Sequence, residues 1–513
     1  MSKDTAMCGE MLLGVDFGSG GAKSTLISVK GEVLATCFKE YPTYYPELYY
    51  AEQNPDDWWK ALVESIAELV EENSLNPYQL LAISVDAPTH NAVLLDKDKK
   101  VLRNAIFWTD QRSSSYAREL DEKYGELILE QAFHRPGTIW TLPQLLWIKR
   151  QQPEIWNKIR YIIFEKDYIR YLMTGNLATD NIEAMGSMLF DARKNSWSTE
   201  LCNLIDLPVE FLPEIKLPFE IAGGLTKTAA KILNLREGMP VIVGTTDTAL
   251  EIFGAGAVNP GQATVKLATA GRICVITERA APHEYLINYP HVVPGKWYPG
   301  TATKSCASSY RWFRDVFGEK ETELEMLGGK SSYYHLDILA ASAPPGSDGL
   351  FFHPYLTGEL TPYNNSNLRA SFTGATMKHT KAHFARAVLE GVAFSLRDCL
   401  EVIRQCGFEL EDIRLIGGGS GSPLWSQIVS DVMGISLTKP STADSSFGGA
   451  MLAGIGAGVF SDFDDAVDKC VKLKENVEPD MIRHEHYEKL FQVYREIEKG
   501  LEVAYEKLTM LKN

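Results

Sequence analysis

The sequence predicts an α/β protein built from two domains of similar plan. Apolar strand segments alternate with helical segments along most of the chain, which is the pattern of an α/β fold. A length of 513 residues suits two large domains with separate cores. A turn of small residues lies between two strands near residue 18, and a similar one lies near residue 270. Each half is therefore expected to contain a similar β-turn-β hairpin, and two such hairpins could face each other across a cleft.

The first half of the chain begins with strands at 11–15, 24–29 and 33–38, which are apolar and separated by turn residues. A helix follows, with Asn54 as its cap, Pro55 at its first position and apolar residues recurring to residue 70. Residues 80–85 and 92–95 read as further strands.

In the second half, strands are expected at 263–267, 272–277 and 413–416, and helices at 423–433 and 447–454. The helix at 447–454 consists of small residues that permit close packing. The charged, periodic tail at 480–511 is expected to form a solvated surface helix. No low-complexity linker is present, so we place the boundary at a short hinge and expect domains at 1–257 and 258–513.

Composition and charge limit the classes of partner. The chain is 45% apolar and 23% charged, as in ordinary globular proteins. Its 67 acidic and 51 basic side chains give a net charge of -16, which disfavours binding of nucleic acid or anionic membrane through the bulk surface. Phosphate ligands must then be held locally, by backbone amides or a metal.

The chain also lacks the signals of export. No apolar run reaches the roughly 18 residues of a membrane span, and the N-terminus lacks a signal-peptide core. The eight cysteines show no CxxC pair and no metal-ligand spacing with histidine. We therefore expect a cytoplasmic protein with neither nucleic-acid nor membrane partners.

Asp247 is the most informative single residue. It follows an apolar strand and precedes a helix, at the place where open α/β sheets meet their ligands. A carboxylate with a pKa of roughly 4 is ionised at neutral pH, so it could accept a proton from a substrate hydroxyl. The alternative is a helix N-cap, a role that aspartate fills readily.

Residues 16–23 form a glycine-rich segment that matches neither common nucleotide fingerprint. A P-loop needs glycine where Phe17 and Ala22 stand, and a dinucleotide fingerprint needs glycine where Lys23 stands. What remains is a hairpin whose N–H groups can cradle phosphate, with Asp16 available for hydrated Mg²⁺. The alternative is an ordinary turn.

The glycine turn at 417–420 has two readings as well. It is a simple strand-to-helix connection, or it allows a nucleotide to approach the backbone closely. A serine-hydrolase elbow centred on Ser420 is excluded because residue 422 is serine rather than glycine.

These elements in this order resemble the FGGY carbohydrate kinases, a branch of the actin-like ATP-binding superfamily. The similarity extends over about residues 10 to 505. The segments that carry it are Asp16 to Lys23, Trp108-Thr-Asp110-Gln-Arg112, Thr179-Asp180, Gly244-Thr-Thr-Asp247, His353-Pro-Tyr-Leu-Thr-Gly-Glu359, Gly417 to Trp425 and Phe447-Gly-Gly-Ala450.

The sequence departs from the family pattern at Ala375 and at four further positions. Gln144 and Gly421 stand where lysine is usual, Ala268 stands for glycine, and Leu360 stands for arginine. These departures leave open whether nucleotide or substrate preference is altered.

The resemblance implies two RNase-H-like domains flanking a catalytic cleft that closes on ATP, Mg²⁺ and a sugar. The first domain would bind the sugar and carry Asp247 as the base, and Asp16 would lie near the metal. The second would carry the second phosphate hairpin and the adenosine site. The phosphate and ATP contacts that it implies are Gly18, Ser19, Gly20, Lys23, Thr269, Gly271, Gly417, Gly418, Gly419 and Ser420.

Within the family, the loop at Thr89-His90 is most similar to that of the xylulose kinases. This implies a D-xylulose acceptor, with Trp108 as an apolar wall and Asp110 as a polar contact. Thr248 would also contact the sugar; xylulose kinases usually carry asparagine there, and methionine in place of Thr89.

Several alternatives stay open. The acceptor could instead be another ketose, a polyol or gluconate. A protein of a different class, an actin-like ATPase or a sugar-responsive regulator, would bind nucleotide without phosphorylating a sugar. A homodimer also stays open, since dimers are common in this family.

Overall fold

Two six-stranded mixed sheets organise the chain, one from each half of the sequence. The computed structural model describes residues 9–73 and 75–511. The strands of the first half are β1 (Met11–Gly18), β2 (Gly21–Ser28), β3 (Val33–Glu40), β4 (Glu52–Gln53), β5 (Leu80–Asp86), β6 (Ala92–Leu95), β7 (Ala105–Ile106), β8 (Tyr161–Phe164), β9 (Ala178–Asp180), β10 (Phe190–Asp191), β11 (Ser196–Trp197), β12 (Glu214–Lys216), β13 (Ile221–Gly224) and β14 (Pro240–Ile242). Those of the second half are β15 (Gln262–Leu267), β16 (Gly271–Val275), β17 (Gly300–Ala302), β18 (Phe351–His353), β19 (Ser371–Thr373), β20 (Asp412–Ile416), β21 (Leu437–Pro440) and β22 (Leu473–Val477).

Helices connect and cover these sheets. In the first half they are α1 (Pro55–Glu72), α2 (Ser114–Ala132), α3 (Thr141–Gln151), α4 (Pro153–Trp156), α5 (Glu165–Thr174), α6 (Asn181–Gly186), α7 (Thr199–Asn203), α8 (Lys227–Leu233) and α9 (Asp247–Gly254). In the second half they are α10 (Ala307–Phe317), α11 (Glu319–Met326), α12 (Ser332–Ala341), α13 (Lys381–Gln405), α14 (Pro423–Met433), α15 (Ser445–Gly456), α16 (Phe463–Cys470) and α17 (Met481–Met510).

The two sheets share one topology. The first has the order β13-β14-β5-β1-β2-β3, and the second has the order β17-β16-β15-β20-β21-β22. In each, an opening strand pairs antiparallel with the next strand of its hairpin and parallel with a later strand, as β1 does with β2 and β5, and β15 with β16 and β20. The expected pair of similar α/β domains is confirmed, and so is the repeated hairpin.

The parallel strands of the first sheet bring three carboxylates to one edge. On β1, Asp16 follows residues 11–15 and lies directly opposite Asp86 on β5. Beyond β14, Thr246 forms a bridge with Ala87, and Asp247 follows it at the start of α9. Because the carboxyl ends of parallel strands meet at one edge, this edge is where an acidic site can form.

Helix α15 comes from the second half of the chain but packs on the first sheet. A Cβ added at Gly14 of β1 would lie 1.9 Å from the carbonyl oxygen of Ser446. A Cβ added at Gly448 would lie 2.0 Å from the carbonyl oxygen of Leu250 in α9. The small-residue helix is thus confirmed, and its glycines allow backbones to approach at distances that no side chain would permit.

Helix α17 is not the fully solvated helix that its charge pattern predicts. Tyr487, Phe491 and Tyr494 form a buried stripe along it. This stripe belongs to the core of the second sheet, together with residues of α13 and α14. The prediction was wrong for this face because aromatic residues at helical spacing outweigh the charged residues around them.

Three further observations complete the description. Asn54 caps α1 by accepting from the N–H of Asp56, as predicted. In the described ranges no disulfide forms among the seven cysteines, and Cys8 lies outside those ranges. No helix between residues 9 and 511, residue 74 aside, is both long and apolar enough to cross a bilayer.

Candidate active site

The turn of the β1–β2 hairpin presents free N–H groups. The carbonyl oxygens of Gly18 and Gly20 accept from the hydroxyl and the N–H of Tyr41, and that of Ser19 accepts from Gln53 Nε2 at 3.1 Å. None of the hydrogen bonds within the described residues uses the N–H of Ser19 or Gly20. With its carbonyls held from behind, the exposed turn has the polarity of an anion cradle.

Lys23 lies on β2 opposite Asp16, but its ammonium group already has a partner. Its Nζ lies 2.9 Å from Oδ2 of Asp444, the N-cap of α15. Both side chains are about one-third exposed. A phosphate contact from Lys23 stays a prediction, and such a contact would compete with this ion pair.

Asp16 and Asp86 form a pair of neighbouring carboxyls. Asp86 is fully buried, and its two oxygens and Oδ1 of Asp16 receive no hydrogen bond from a backbone amide or other donor of the described residues; the two carboxyls can hydrogen-bond each other when one is protonated. Burial, followed by the charge of Asp247, raises the pKa of Asp16 to about 6. Burial and the charge of Asp16 raise the pKa of Asp86 well above its ordinary value. No cation is among the groups that shift the two pKa values, so this acidic pair lacks a positively charged partner.

The two carboxyls fit a magnesium ion. Mg²⁺ is usually held by one or two carboxylates together with substrate phosphates and water, and the unpaired oxygens of Asp16 and Asp86 are ligands of that type. Within the described ranges no cluster of three or more histidine, cysteine or acidic side chains could hold a metal by itself. A metal here would therefore need oxygens from a bound phosphate.

Asp247 is the first residue of α9, and Thr246 occupies the N-cap position without a side-chain capping bond. Asp247 Oδ1 accepts from the N–H and hydroxyl of Thr248, whereas no described residue donates to Oδ2. Gly244 allows the preceding turn, since its φ is +72° and a Cβ there would lie 2.0 Å from the carbonyl oxygen of Val85. The carboxylate thus does not cap the helix, and one of its oxygens remains free.

A buried ionic network supports the strand before Asp247. Lys166 bridges Asp167 at 2.6 Å and Asp180 at 2.8 Å, and all three are buried. Asp180 Oδ1 also accepts from Thr245 Oγ1 at 2.7 Å and caps α6. The network ties the residue two positions before Asp247 to α6. It explains the Thr179-Asp180 segment of the sequence, whose structural role was not predicted.

His90 and Thr89 lie on the loop after β5. His90 has a φ of +81°, a conformation that costs energy in a residue other than glycine and is typical of functional sites. Its N–H donates to Glu183 Oε1 at 2.8 Å, and its ring packs on Trp140 with centroids 4.6 Å apart. Burial, followed by the neighbouring His134, lowers the pKa of His90 well below its usual value. A neutral imidazole results, which offers one donor and one acceptor.

Tyr289, from the second half of the chain, lies close to the His90 loop. A Cβ added at Gly186 would lie 2.3 Å from His90 Nδ1 and 3.1 Å from the hydroxyl of Tyr289. Burial raises the pKa of Tyr289, whereas its hydrogen bond with Thr89 lowers it. The surroundings of Thr89 and His90 therefore consist of rings and hydroxyl groups, a combination that suits a sugar.

Trp108 and Asp110 have different surroundings. Trp108 is 39% exposed, and its Nε1 lies 3.4 Å from the hydroxyl of Ser19 in the first hairpin. Asp110 is buried and accepts from the N–H of Ala51 at 2.6 Å, and Arg112 forms an ion pair with it at 2.8 Å. Trp108 is available to a ligand, whereas Asp110 is held by protein groups; a sugar contact from either stays a prediction.

The second hairpin turns at Ala268, Thr269 and Ala270, where Thr269 is exposed. Its position is fixed by the carbonyl oxygen of Thr269, which accepts from the N–H of Cys306 at 3.0 Å and the hydroxyl of Ser308 at 2.8 Å. The N–H of Gly271 donates to Thr303 Oγ1 at 3.0 Å. That N–H is therefore already used within the protein, which leaves the exposed turn as the part open to phosphate.

The glycine turn after β20 packs against the end of β15. A Cβ at Gly417 would lie 2.6 Å from the carbonyl oxygen of Leu267, and one at Gly419 would lie 2.8 Å from Leu267 Cβ. Gly418 faces open space, and the Ser420 hydroxyl donates to the Gly417 carbonyl at 2.7 Å. Packing therefore explains Gly417 and Gly419, while the backbone at Gly418 is open to a nucleotide.

Three residues of this region were not predicted as site residues. They are Asp86, Arg272 on β16, and Asp444. Asp86 follows an apolar strand and carries the same signal as Asp247. Arg272 and Asp444 carry no comparable signal, because only the packing of β16 and α15 on the first half of the chain brings them here.

Comparison with known proteins gives consistent matches over almost the whole chain. Residues 11–254 match the N-terminal domain of the FGGY family of carbohydrate kinases, and residues 269–457 match its C-terminal domain. A xylulose kinase of Bacillus subtilis (strain 168) is 30% identical over 489 residues, which cover 95% of this chain and 96% of that protein.

Two solved structures are also similar. The crystal structure of xylulose kinase from Rhodospirillum rubrum has a TM-score of 0.88 at 27% identity and covers 97% of this chain and 100% of that one. The crystal structure of gluconate kinase from Lactobacillus acidophilus has a TM-score of 0.89 at 25% identity and covers 97% and 99%. Proteins with different sugar substrates thus share this architecture.

Proposed function

This chain belongs to the FGGY family of carbohydrate kinases and is a sugar phosphotransferase that uses ATP, and we propose that it converts D-xylulose to D-xylulose 5-phosphate. The similarity to xylulose kinases supports this acceptor, as do the neutral polar groups around Thr89 and His90. The gluconate kinase of the same architecture makes gluconate the main alternative acceptor.

Asp247 is the base in this proposal. The observation that carries it is the free Oδ2 of Asp247, at the strand-end edge shared with Asp16 and Asp86. The carboxylate would accept the proton of the acceptor hydroxyl while that oxygen attacks the γ-phosphorus of ATP and the bond from phosphorus to the leaving ADP oxygen breaks. A positioned base of this kind contributes about 100-fold to 10,000-fold to the rate.

Phosphoryl transfer otherwise requires positioning and neutralisation of charge. In this proposal the N–H groups of Ser19 and Gly20 hold phosphate oxygens from one side, and the turn at Thr269 holds them from the other. The adenosine lies along the open backbone at Gly418. Asp16 and Asp86 would hold Mg²⁺, which when bound to ATP neutralises phosphate charge.

His90 would hold the acceptor in place. Its strained backbone is fixed by Glu183, so the neutral ring keeps one orientation against Trp140. Trp108 would cover one face of the sugar beside the first hairpin, and Thr248 would contact it next to the base. A cytoplasmic location accompanies the proposal, since buried unpaired thiols are typical of a reducing compartment.

An acceptor screen tests the function. ADP release is measured with ATP and Mg²⁺ in the presence of D-xylulose, other ketoses, xylitol and D-gluconate, each at several concentrations. The proposal expects release that depends on the sugar, with the highest kcat/KM for D-xylulose. A higher kcat/KM for gluconate would overturn the acceptor but not the chemistry, whereas release independent of every sugar would overturn the proposed mechanism.

A further inference from the structure

Arg272 is a cation beside the proposed base, and its charge has no carboxylate partner. It lies on β16 opposite Lys266 of β15. Lys266 forms an ion pair with Glu251 at 2.6 Å, but no carboxylate among the described residues forms an ion pair with Arg272. Its hydrogen bond is from Nη1 to Thr248 Oγ1 at 2.7 Å. Two cations on one face of the hairpin thus differ: one is neutralised and the other is not.

The surroundings of Arg272 place it on the acceptor side of the site. Burial lowers the pKa of Arg272, whereas electrostatic interactions with Cys274, Asp247, Tyr298 and Tyr289 raise it. After burial and His134, the charge of Arg272 also lowers the pKa of His90. The rings of Tyr289 and Tyr298 are stacked, with centroids 5.7 Å apart. Arg272 therefore lies within electrostatic reach of both the proposed base and His90.

The remaining donors of Arg272 are free. A guanidinium carries five N–H donors in a planar fork, and Thr248 accepts from only one nitrogen. The other nitrogens donate to no acceptor among the described residues and are not fully buried. A partly desolvated guanidinium without an anion is unfavourable, and its fork fits two neighbouring oxygens.

We propose that Arg272 is a specificity-determining residue that binds two neighbouring oxygens of the acceptor, one of them a carbonyl or carboxylate oxygen. This inference rests on the proposed function and deepens it. The oxygens have two possible sources: the keto oxygen of a ketose with its adjacent hydroxyl, or the carboxylate of an aldonic acid. A polyol has neither group, so it is the acceptor that Arg272 disfavours.

The test compares Arg272→Gln with the wild type on three acceptors: D-xylulose, xylitol and D-gluconate. Loss of a hydrogen bond to a charged group should lower kcat/KM for the preferred acceptor by about 10- to 100-fold. For xylitol the loss should stay below about threefold, and KM for ATP should not change. Arg272→Lys keeps the charge but loses the fork, so its loss should be intermediate.

Arg279→Gln is the matched control, because Arg279 is exposed on the segment that follows β16; it should leave every acceptor unchanged. An equal loss on all three acceptors in Arg272→Gln, or a loss confined to kcat, would overturn the proposal and assign Arg272 to the base or the phosphoryl group. Unchanged kinetics would overturn it as well.

Calorimetry of acceptor binding without ATP separates this inference from the proposed function. If the wild type binds an acceptor but releases no ADP, the proposed function fails, and Arg272 is still judged by whether Arg272→Gln loses that binding. If gluconate rather than D-xylulose binds and reacts, only the acceptor assignment fails. If no carbonyl or carboxylate acceptor binds the wild type, the role of Arg272 is overturned.

Discussion

Lys23 and Asp444 form an ion pair of 2.9 Å across 421 positions of sequence. The lysine lies on β2, the second strand of the first hairpin, and the aspartate caps α15 by accepting from the N–H of Phe447 at 3.0 Å. Helix α15 packs on β1, whose Asp16 belongs to the site. One carboxylate therefore stabilises a helix from the second half of the chain and fixes its end to the hairpin of the first half.

Asp444→Ala should lower the free energy of unfolding by about 1 to 2 kcal/mol, because it removes both the cap and the ion pair. Asp444→Asn keeps an amide oxygen that can cap, so its effect should be smaller, about 1 kcal/mol or less for a pair whose side chains are about one-third exposed. Urea unfolding of both variants measures the difference. Equal losses would show that the cap contributes nothing beyond the pair. Adding Lys23→Met to Asp444→Asn should lower the free energy of unfolding little further, because the ion pair is already lost in Asp444→Asn.

Asp247→Asn should lower kcat by at least about 100-fold, since asparagine cannot accept the acceptor proton. KM for the sugar and for ATP should change little, because the amide keeps the size of the side chain. Steady-state kinetics with the preferred acceptor measures this split. Asp468→Asn, at an exposed position, is the control and should behave as the wild type. Near-normal turnover in Asp247→Asn would remove Asp247 from the role of base.

The acidic edge could be predicted from sequence because it depends on local patterns. An apolar strand followed by aspartate predicts a carboxylate at the end of a strand, and this holds for Asp16, Asp86 and Asp247. Parallel pairing then brings such ends together. Arg272 and Asp444 depend instead on which face of β16 meets α9 and where α15 packs. Those relationships are set by tertiary packing, which a single sequence does not reveal.

The prediction for α17 failed for a different reason. Its many charged residues indicated a solvated helix, but Tyr487, Phe491 and Tyr494 recur at spacings that place them on one side. A helix can be charged on most of its surface and still bury a narrow stripe. In such a case the positions of the aromatic residues are more informative than the net charge.

Asp16→Asn should stabilise the metal-free protein while abolishing most turnover. Burial raises the pKa of both neighbouring carboxyls, which shows that the site disfavours negative charge, and an amide at residue 16 removes the cost of burying that charge. The gain should be on the order of 1 kcal/mol, as is usual when a strained functional site is neutralised. Urea unfolding in EDTA measures the stability, and ADP release with Mg²⁺ measures the turnover. A less stable Asp16→Asn would contradict the cost of the buried charge, and unchanged turnover would contradict the metal site.

Glu359 should make the protein less stable as the pH rises from about 5 to 7. Its carboxyl is fully buried, accepts from the N–H groups of Lys304 and Leu360, and has its pKa raised by burial to about 7 from an ordinary 4.5. Between these values the folded protein binds a proton that the unfolded chain has released. The free energy of unfolding therefore falls with rising pH across this window, by at most about 1.4 kcal/mol per pH unit for one group.

Glu359→Gln should remove this contribution. Its free energy of unfolding, measured by urea titration at pH 5, 6 and 7, should fall less steeply than that of the wild type. Glu485→Gln, at an exposed position of α17, is the matched control and should follow the wild-type slope. Lys304 lies just before Cys306 and Ser308, which hold the Thr269 turn. If protonated Glu359 keeps its hydrogen bonds to Lys304 and Leu360, KM for ATP should stay unchanged; if it loses them, KM for ATP should change. Parallel stability curves for Glu359→Gln and the wild type would show that Glu359 releases its proton in the folded state at the same pH as in the unfolded chain.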